Sequence, residues 1–153
     1  MRITKRTNLA MRVLMFCAVN NDRNVTKSQI AEGCNSSENH LGHVVNRLGQ
    51  LGYLDTIRGR RGGIRLGRPA GQISVGDVFR NLEADVPVVE CMQMDENTCP
   101  LVGACRLRGS IMEALEAFYS HLDTVTLSEL VDSNDGLCRI LQQTDEVTMV
   151  ACR

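Results

Sequence analysis

The sequence predicts a mainly α-helical chain with a small β wing: a winged helix-turn-helix unit followed by a long helix suited to packing against another helix. Three observations predict it. A helix, a short capped helix, a turn, an amphipathic helix and a Gly-rich hairpin follow one another within residues 1–70. Basic charge collects on that same stretch. Further on, Leu107, Ile111, Ala114, Leu115, Phe118, Leu122 and Val125 recur in steps of three and four, with Ala114 and Leu115 side by side, the narrow stripe of a helix that meets another helix.

Each element has a local cause. From Thr4 to Ala18 the apolar residues Leu9, Ala10, Val13, Leu14, Phe16 and Cys17 fall at helical spacing. Thr26 followed by Gln29 has the form of a capping box, which opens a short helix over Lys27 to Gly33. Cys34-Asn-Ser-Ser is turn chemistry, and Ser36 or Ser37 caps a third helix whose apolar stripe is Leu41, Val44, Val45, Leu48 and Leu51. Its other face is Glu38, Asn39, His40, His43, Asn46 and Arg47. Two extended runs, Tyr53 to Arg58 and Ile64 to Gly67, flank Gly59-Arg-Arg-Gly-Gly and form a hairpin with a basic tip. Ser74 with Asp77 caps a helix ending near Glu83, and Thr126 with Glu129 opens a short helix ending near Asp132. Between them, residues 85–104 show no period, and the tail from Leu137 is weakly amphipathic. These features divide the chain into a winged unit (1–70), a connecting helix and loop (71–104), a long helix with a short one (105–136) and a tail (137–153), expected to be flexible.

The net charge of -1 conceals a division. Residues 1–70 hold twelve Lys or Arg against four acids, +8, whereas residues 71–153 hold five against fourteen, -9. A basic half joined to an acidic one points to a polyanion partner. A helix whose first turn offers short polar side chains can enter the major groove of duplex DNA, and Arg58, Arg60, Arg61 and Arg65 can reach phosphates or a minor groove. A bare three-helix packing unit with a solvated basic loop does not explain the collected charge. With 43% hydrophobic and 23% charged residues the chain can bury a core, and with 3% aromatics and no Trp it lacks stacking platforms for single strands. Arg12 interrupts the first apolar stretch, no signal-cleavage site follows, and no run approaches the roughly 20 residues of a membrane span. The expectation is a cytoplasmic protein without membrane contact. It is not expected to be an enzyme, since it shows no nucleophile elbow, phosphate loop or paired His-carboxylate motif.

In that compartment seven cysteines point to metal or redox chemistry rather than a disulfide framework. Cys91, Cys99 and Cys105 lie in the irregular stretch and at the start of the long helix, and three thiolates there can supply ordering through a metal centre. Spacing leaves an iron-sulfur cluster, zinc and a thiol switch open, although structural zinc wants a fourth nearby Cys or His. Cys17, Cys34, Cys138 and Cys152 are expected to be structural.

The run Arg58-Gly-Arg-Arg-Gly-Gly-Ile-Arg-Leu-Gly-Arg-Pro-Ala, then Ile73-Ser-Val-Gly-Asp-Val, then three Cys ending in Cys105-Arg-Leu, resembles the winged-helix iron-sulfur regulators that include NsrR, IscR and RirA. The resemblance covers about residues 1–135. It implies a homodimer held by the long helix, binding double-stranded operator DNA as a transcriptional repressor, with an iron-sulfur cluster on Cys91, Cys99 and Cys105 that sets DNA affinity. A 4Fe-4S cluster is expected first and 2Fe-2S is the alternative. The implied DNA contacts are Thr26, Lys27, Ser28, Ser37, Asn39, His40, His43 and Arg47, with Arg58, Arg60, Arg61 and Arg65 on the wing. Cys105-Arg-Leu-Arg, Glu116-Ala-Phe and Thr126-Leu-Ser-Glu-Leu-Val look most like the nitric-oxide-sensing branch. There the fourth cluster ligand is an Asp of the partner's first helix; the matching residue here is Asn8, a neutral and poorer iron ligand. Arg108 replaces the ligating His of IscR-type proteins, while Thr7-Asn8 also occurs in iron-responsive RirA-type proteins. Glu38 is unusual on a recognition helix, where it must read a cytosine amino group or point away. An electron carrier with a basic docking half is the rival from another class.

Overall fold

The computed structural model describes residues 3–83, 86–93 and 97–142. Helix α1 (Lys5–Val19) starts at Thr4, whose side chain accepts from Thr7 N–H. Nine of its 15 residues are buried, and its apolar positions run most of the way around the axis, the signature of a helix enclosed by its own fold. Helices α2 (Lys27–Gly33) and α3 (Glu38–Gln50) pack on it and on each other. The Thr26–Gln29 capping box closes in both directions, and Ser37 caps α3. Leu41, Val44, Val45 and Leu48 enter the core as their spacing predicts.

Strands β1 (Leu54–Ile57) and β2 (Gly63–Leu66) pair antiparallel, with Leu54 opposite Leu66 and Ile57 opposite Gly63. The wing is tied to the helices by a bridge that the sequence does not announce. Val25 N–H donates to Ile64 O (2.9 Å) and Ile64 N–H to Val25 O (2.8 Å). Gly63 permits this approach: its φ is +155°, and a Cβ there would lie 2.9 Å from Val25 O.

Helix α4 (Val75–Glu83) follows, opened by Ser74 Oγ accepting from Asp77 N–H (3.2 Å). Helix α5 (Arg106–Asp123) is the long helix, with Cys105 at its N-cap. Its end is stitched to the start of α4 through Val75 N–H to Val125 O (2.9 Å) and Leu127 N–H to Ile73 O (2.8 Å). No residue of α5 is buried; Leu107 is 66% exposed and Met112 48%. Helices α6 (Leu127–Val131) and α7 (Asp135–Leu141) return to α1. One hydrophobic cluster therefore runs from Leu9 through Ile73 and Leu127 to Leu141, across the divisions the composition suggests. The first part of the expected tail is ordered because buried Asn20 donates from Nδ2 to Leu141 O (3.0 Å) and Cys138 enters the interior. Residues 143–153, with Cys152, lie outside the described residues. Among the described residues no helix is long and apolar enough to cross a membrane.

Cys17 and Cys34 are buried free thiols in the winged unit, so their expected structural role agrees with their placement. Burial, and secondarily the proximity of Cys34, pushes Cys17 up to about 12 from 9.0. Burial, opposed by Arg12, pushes Cys34 up to about 11. The fold thus prefers neutral thiols: their contribution is complete below the unfolded value near 9.0 and is lost as pH rises through the folded values. The unfolding free energy from urea titrations should hold steady at neutral pH and fall above pH 9.0, by at most about 1.4 kcal/mol per pH unit per thiol. A Cys17→Ala/Cys34→Ala variant, whatever its starting stability, should lose that early slope and retain only the later decline from other groups.

Candidate nucleic-acid interface and cysteine centre

Ser37, Glu38, Asn39, His40, His43, Asn46 and Arg47 all stand exposed on α3 opposite its buried stripe. Thr26 and Ser28 are exposed at the start of α2, and Lys27 between them is half-buried. Thr26 and Ser37 are also caps: Thr26 Oγ1 accepts from Gln29 N–H (3.2 Å) and Ser37 Oγ from His40 N–H (3.4 Å). Accepting leaves each hydroxyl hydrogen able to donate to a phosphate oxygen. Arg58, Arg60 and Arg61 project from the exposed wing tip, which Asn24 Nδ2 holds through Arg61 O (3.1 Å). Arg65 reaches Asp55 across the hairpin at 3.6 Å, an exposed pair that a phosphate can exchange.

The basic face is narrower than the charge count implies. Three arginines of residues 1–70 terminate helices instead. Arg12 Nη1 donates to Cys34 O (2.7 Å) at the end of α2, and Arg68 Nη2 to Leu51 O (3.0 Å) at the end of α3. Arg6 donates to Leu82 O in the last turn of α4. A guanidinium at a helix C-terminus satisfies free carbonyls and complements the helix dipole. Arg68 also lies over the buried Tyr53 ring, 4.5 Å from its centre. None of these roles has a local sequence signature, because each partner lies at least 17 residues away.

Tyr53 joins the base of the wing to α4. Its hydroxyl donates to Asp77 Oδ2 (2.5 Å) and accepts from Asn81 Nδ2 (3.2 Å), and burial together with the Asp77 hydrogen bond raises its pKa. Next on α4, Arg80 clamps α5. It reaches Glu116 Oε1 (3.0 Å), Glu116 Oε2 (3.2 Å) and Asp123 Oδ2 (2.9 Å), and lies 4.6 Å from the Tyr119 ring centre. Hydrogen bonds from Arg80 hold the Glu116 carboxyl below its ordinary range. Helix α4 is therefore a strut between wing and long helix.

Cys91 sits in a single 3-10 turn (Glu90–Met92), Cys99 in irregular chain, and Cys105 at the N-cap of α5, where its side chain makes no capping bond. All three are free and half-buried. Sequence reasoning passed over the residues beside them. Glu90 Oε1 accepts from Thr98 N–H (2.9 Å) and from Thr98 Oγ1 (2.6 Å), a staple between the immediate neighbours of Cys91 and Cys99. Among the described residues no three His, Cys, Asp or Glu side chains converge tightly enough to hold a metal ion. The donors nonetheless suit a soft metal centre in kind. A cavity of about 330 Å³ opens beside Cys105 and Arg108, and Arg108 Nε is buried without a hydrogen-bond partner among the described residues. An anionic group seated there would satisfy it. Asn8 is exposed on α1, clear of its own chain's core.

The Rrf2 profile, described as an iron-dependent transcriptional regulator, matches residues 3–133. The chain belongs to the Rrf2 family. It is 41% identical over 143 residues to the HTH-type transcriptional regulator NsrR of Bacillus subtilis, covering 93% of this chain and 98% of that one. The NsrR of Geobacillus kaustophilus is likewise 41% identical, over 94% and 98% of the two chains. Protein aau3 of Rhizobium meliloti is 40% identical over 86% and 85%. Among solved structures, a regulator from Listeria innocua superposes with TM-score 0.68 at 27% identity over 99% and 97%, and oxidised CymR of Staphylococcus aureus with 0.66 at 26% over 86% and 96%. The IscR of T. potens, at 22% identity and TM-score 0.65 over 86% of each chain, shares the fold. Rrf2 membership makes this chain a winged-helix transcriptional regulator and not an enzyme.

The Glu90–Thr98 staple is testable in the metal-free Rrf2 protein. Glu90→Ala should speed alkylation of Cys91 and Cys99 by roughly fivefold, the equivalent of about 1 kcal/mol of lost ordering, and leave buried Cys17 unreactive. Mass spectrometry of quenched iodoacetamide reactions measures both.

Proposed function

We propose that this Rrf2 protein is a homodimeric repressor of the NsrR type, whose grip on a pseudo-palindromic operator is set by an iron-sulfur cluster responsive to nitric oxide. The observation that carries the reading is the position of Cys105. It stands at the N-cap position of the helix that Arg80 clamps to α4, and α4 holds the wing through Asp77 and Tyr53. A change of order at the cysteines is thus mechanically joined to the DNA-facing elements.

The chain's own residues supply each part. Leu107 is exposed and Ile111 and Leu115 are half-buried on α5, and the same face of a second copy would complete their burial about a two-fold axis. Two recognition helices would then enter successive major grooves about one turn apart, a spacing sensitive to small rotations. Ser37, Asn39, His40 and His43 would face base edges, while Lys27, Arg47 and the wing arginines hold phosphates. Cys91, Cys99 and Cys105 would hold the cluster, with Arg108 beside Cys105 supplying a counter-charge and Asn8 of the second copy a weak fourth ligand. When bound, the cluster would supply iron that nitric oxide can attack. The Rrf2 description as iron-dependent favours a second reading, in which iron or cluster supply is the signal.

Cys99→Ser should abolish both the visible absorbance of anaerobically purified protein and its high-affinity operator binding; retention of both would defeat the reading. Nitric oxide added to the wild-type protein should release operator DNA within the time that its absorbance bleaches, whereas an iron chelator acting alone would favour the second reading. Arg80→Met should keep the absorbance and weaken operator affinity roughly tenfold, since a misplaced half-site forfeits contacts worth about 1–3 kcal/mol; anaerobic titrations of labelled operator measure it.

A further inference from the structure

Two glycines stand inside the recognition helix, Gly42 and Gly49, although glycine is among the poorest helix formers. They differ in what surrounds them. A Cβ at Gly49 would meet only Leu54 O, at an ordinary 3.7 Å. A Cβ at Gly42 would stand 3.2 Å from Lys27 Nζ and 3.5 Å from its Cε. The Lys27 side chain therefore leaves the first position of α2, crosses to α3, and rests its ammonium in the notch that Gly42 leaves open. The helix neighbours of Gly42 three and four residues away include Glu38, Asn39 and Asn46, all on the exposed polar face. Lys27 is half-buried, and among the described residues it makes no ion pair. A half-buried cation lying against α3 beside its exposed polar face, with no anion to pair with among the described residues, is available for an external one.

We propose that Gly42 is the positioning residue for the phosphate contact of Lys27, kept at a cost in helix propensity so that the ammonium can lie against α3. The proposal rests on the DNA-binding reading above. A phosphate is the ligand, rather than a base edge, because the first helix of a helix-turn-helix crosses the sugar-phosphate backbone. An added methyl at Gly42 is cheap for the fold, since the atom it meets is the tip of a flexible side chain. For the contact it is costly, because it moves and partly desolvates the ammonium.

The test uses the full-length protein, purified anaerobically, and two labelled duplexes: one recovered from a random pool by the wild-type protein, the other a scrambled version. Lys27→Ala should weaken both by the same factor, roughly five- to tenfold, and should flatten the dependence of log K on log salt by about 0.9 per protomer. Gly42→Ala should weaken both roughly two- to fivefold, in the same direction as Lys27→Ala on the salt plot. In the Lys27→Ala background it should change nothing, the non-additivity expected of one contact. Both Gly42→Ala and Gly49→Ala should raise Tm by about 2–4 °C, and Gly49→Ala should bind as wild type does. Opposite signs of stability and affinity at Gly42 are a result that a merely structural glycine would not produce. Wild-type affinity in Gly42→Ala, additive losses in the double variant, or a loss confined to the selected duplex would each overturn the proposal. Absence of salt-dependent binding of either duplex by the wild-type protein would instead defeat the operator reading itself.

Discussion

Burial of α1 is the constraint on which the other elements depend. Leu9, Val13, Leu14, Phe16 and Cys17 are almost wholly withdrawn from solvent, and no single neighbour could cover so wide an apolar surface. Helices α2, α3, α4, α6 and α7 and strand β2 all pack against it. The chain must therefore return after the wing and again after the long helix, and apolar residues of the acidic half, such as Ile73, Leu127 and Leu141, share a core with the basic N-terminal unit. What α1 does not hold is equally informative. No residue of helix α5 is fully buried, although Phe118 meets Phe79 and Leu122 packs on the core, and in its described part the cysteine segment is joined by short turns and the Glu90–Thr98 staple. The parts able to change their order are thus the parts outside the core, as expected for low-stability regions.

Electrostatics is shared between architecture and partner. The surplus of basic residues in the N-terminal half suggests a surface for polyanions, and part of it is available for one: the wing tip arginines and Arg47 face outward, and Lys27 lies against α3. Arg6, Arg12 and Arg68, by contrast, close the ends of α4, α2 and α3. The positive charge that stabilises the winged unit and the charge free to meet DNA come from the same residue type, and only their partners separate them. A mutational survey that treated every arginine of this half as a DNA contact would confuse lost folding with lost binding.

The route from thiol to wing passes through α4. Its first turns hold Tyr53 by Asp77 and Asn81, and Arg80 on the same helix grips two carboxylates of α5. The Arg80 contacts lie at the surface, where ion pairs are screened and individually modest, so they define a direction more than they supply stability. That combination suits a regulator, in which the sensor and the reader must be joined firmly enough to transmit a change and loosely enough to undergo one.

Local chemistry made much of this protein legible from sequence. The Thr26–Gln29 box, the Ser37 cap, the apolar stripe of α3 and the Gly-rich wing each depend on residues a few positions apart, so their patterns survive in one dimension. The exposed face of α3 was readable for the same reason. Tertiary structure alone decided the rest. The Val25–Ile64 bridge, the three helix-ending arginines, the strut through Tyr53 and Arg80, the packing of α7 on α1 and the seat of Lys27 against Gly42 all join residues distant in the chain. Nothing in the neighbourhood of either partner encodes such a contact; it exists only once the core around α1 has brought the two together.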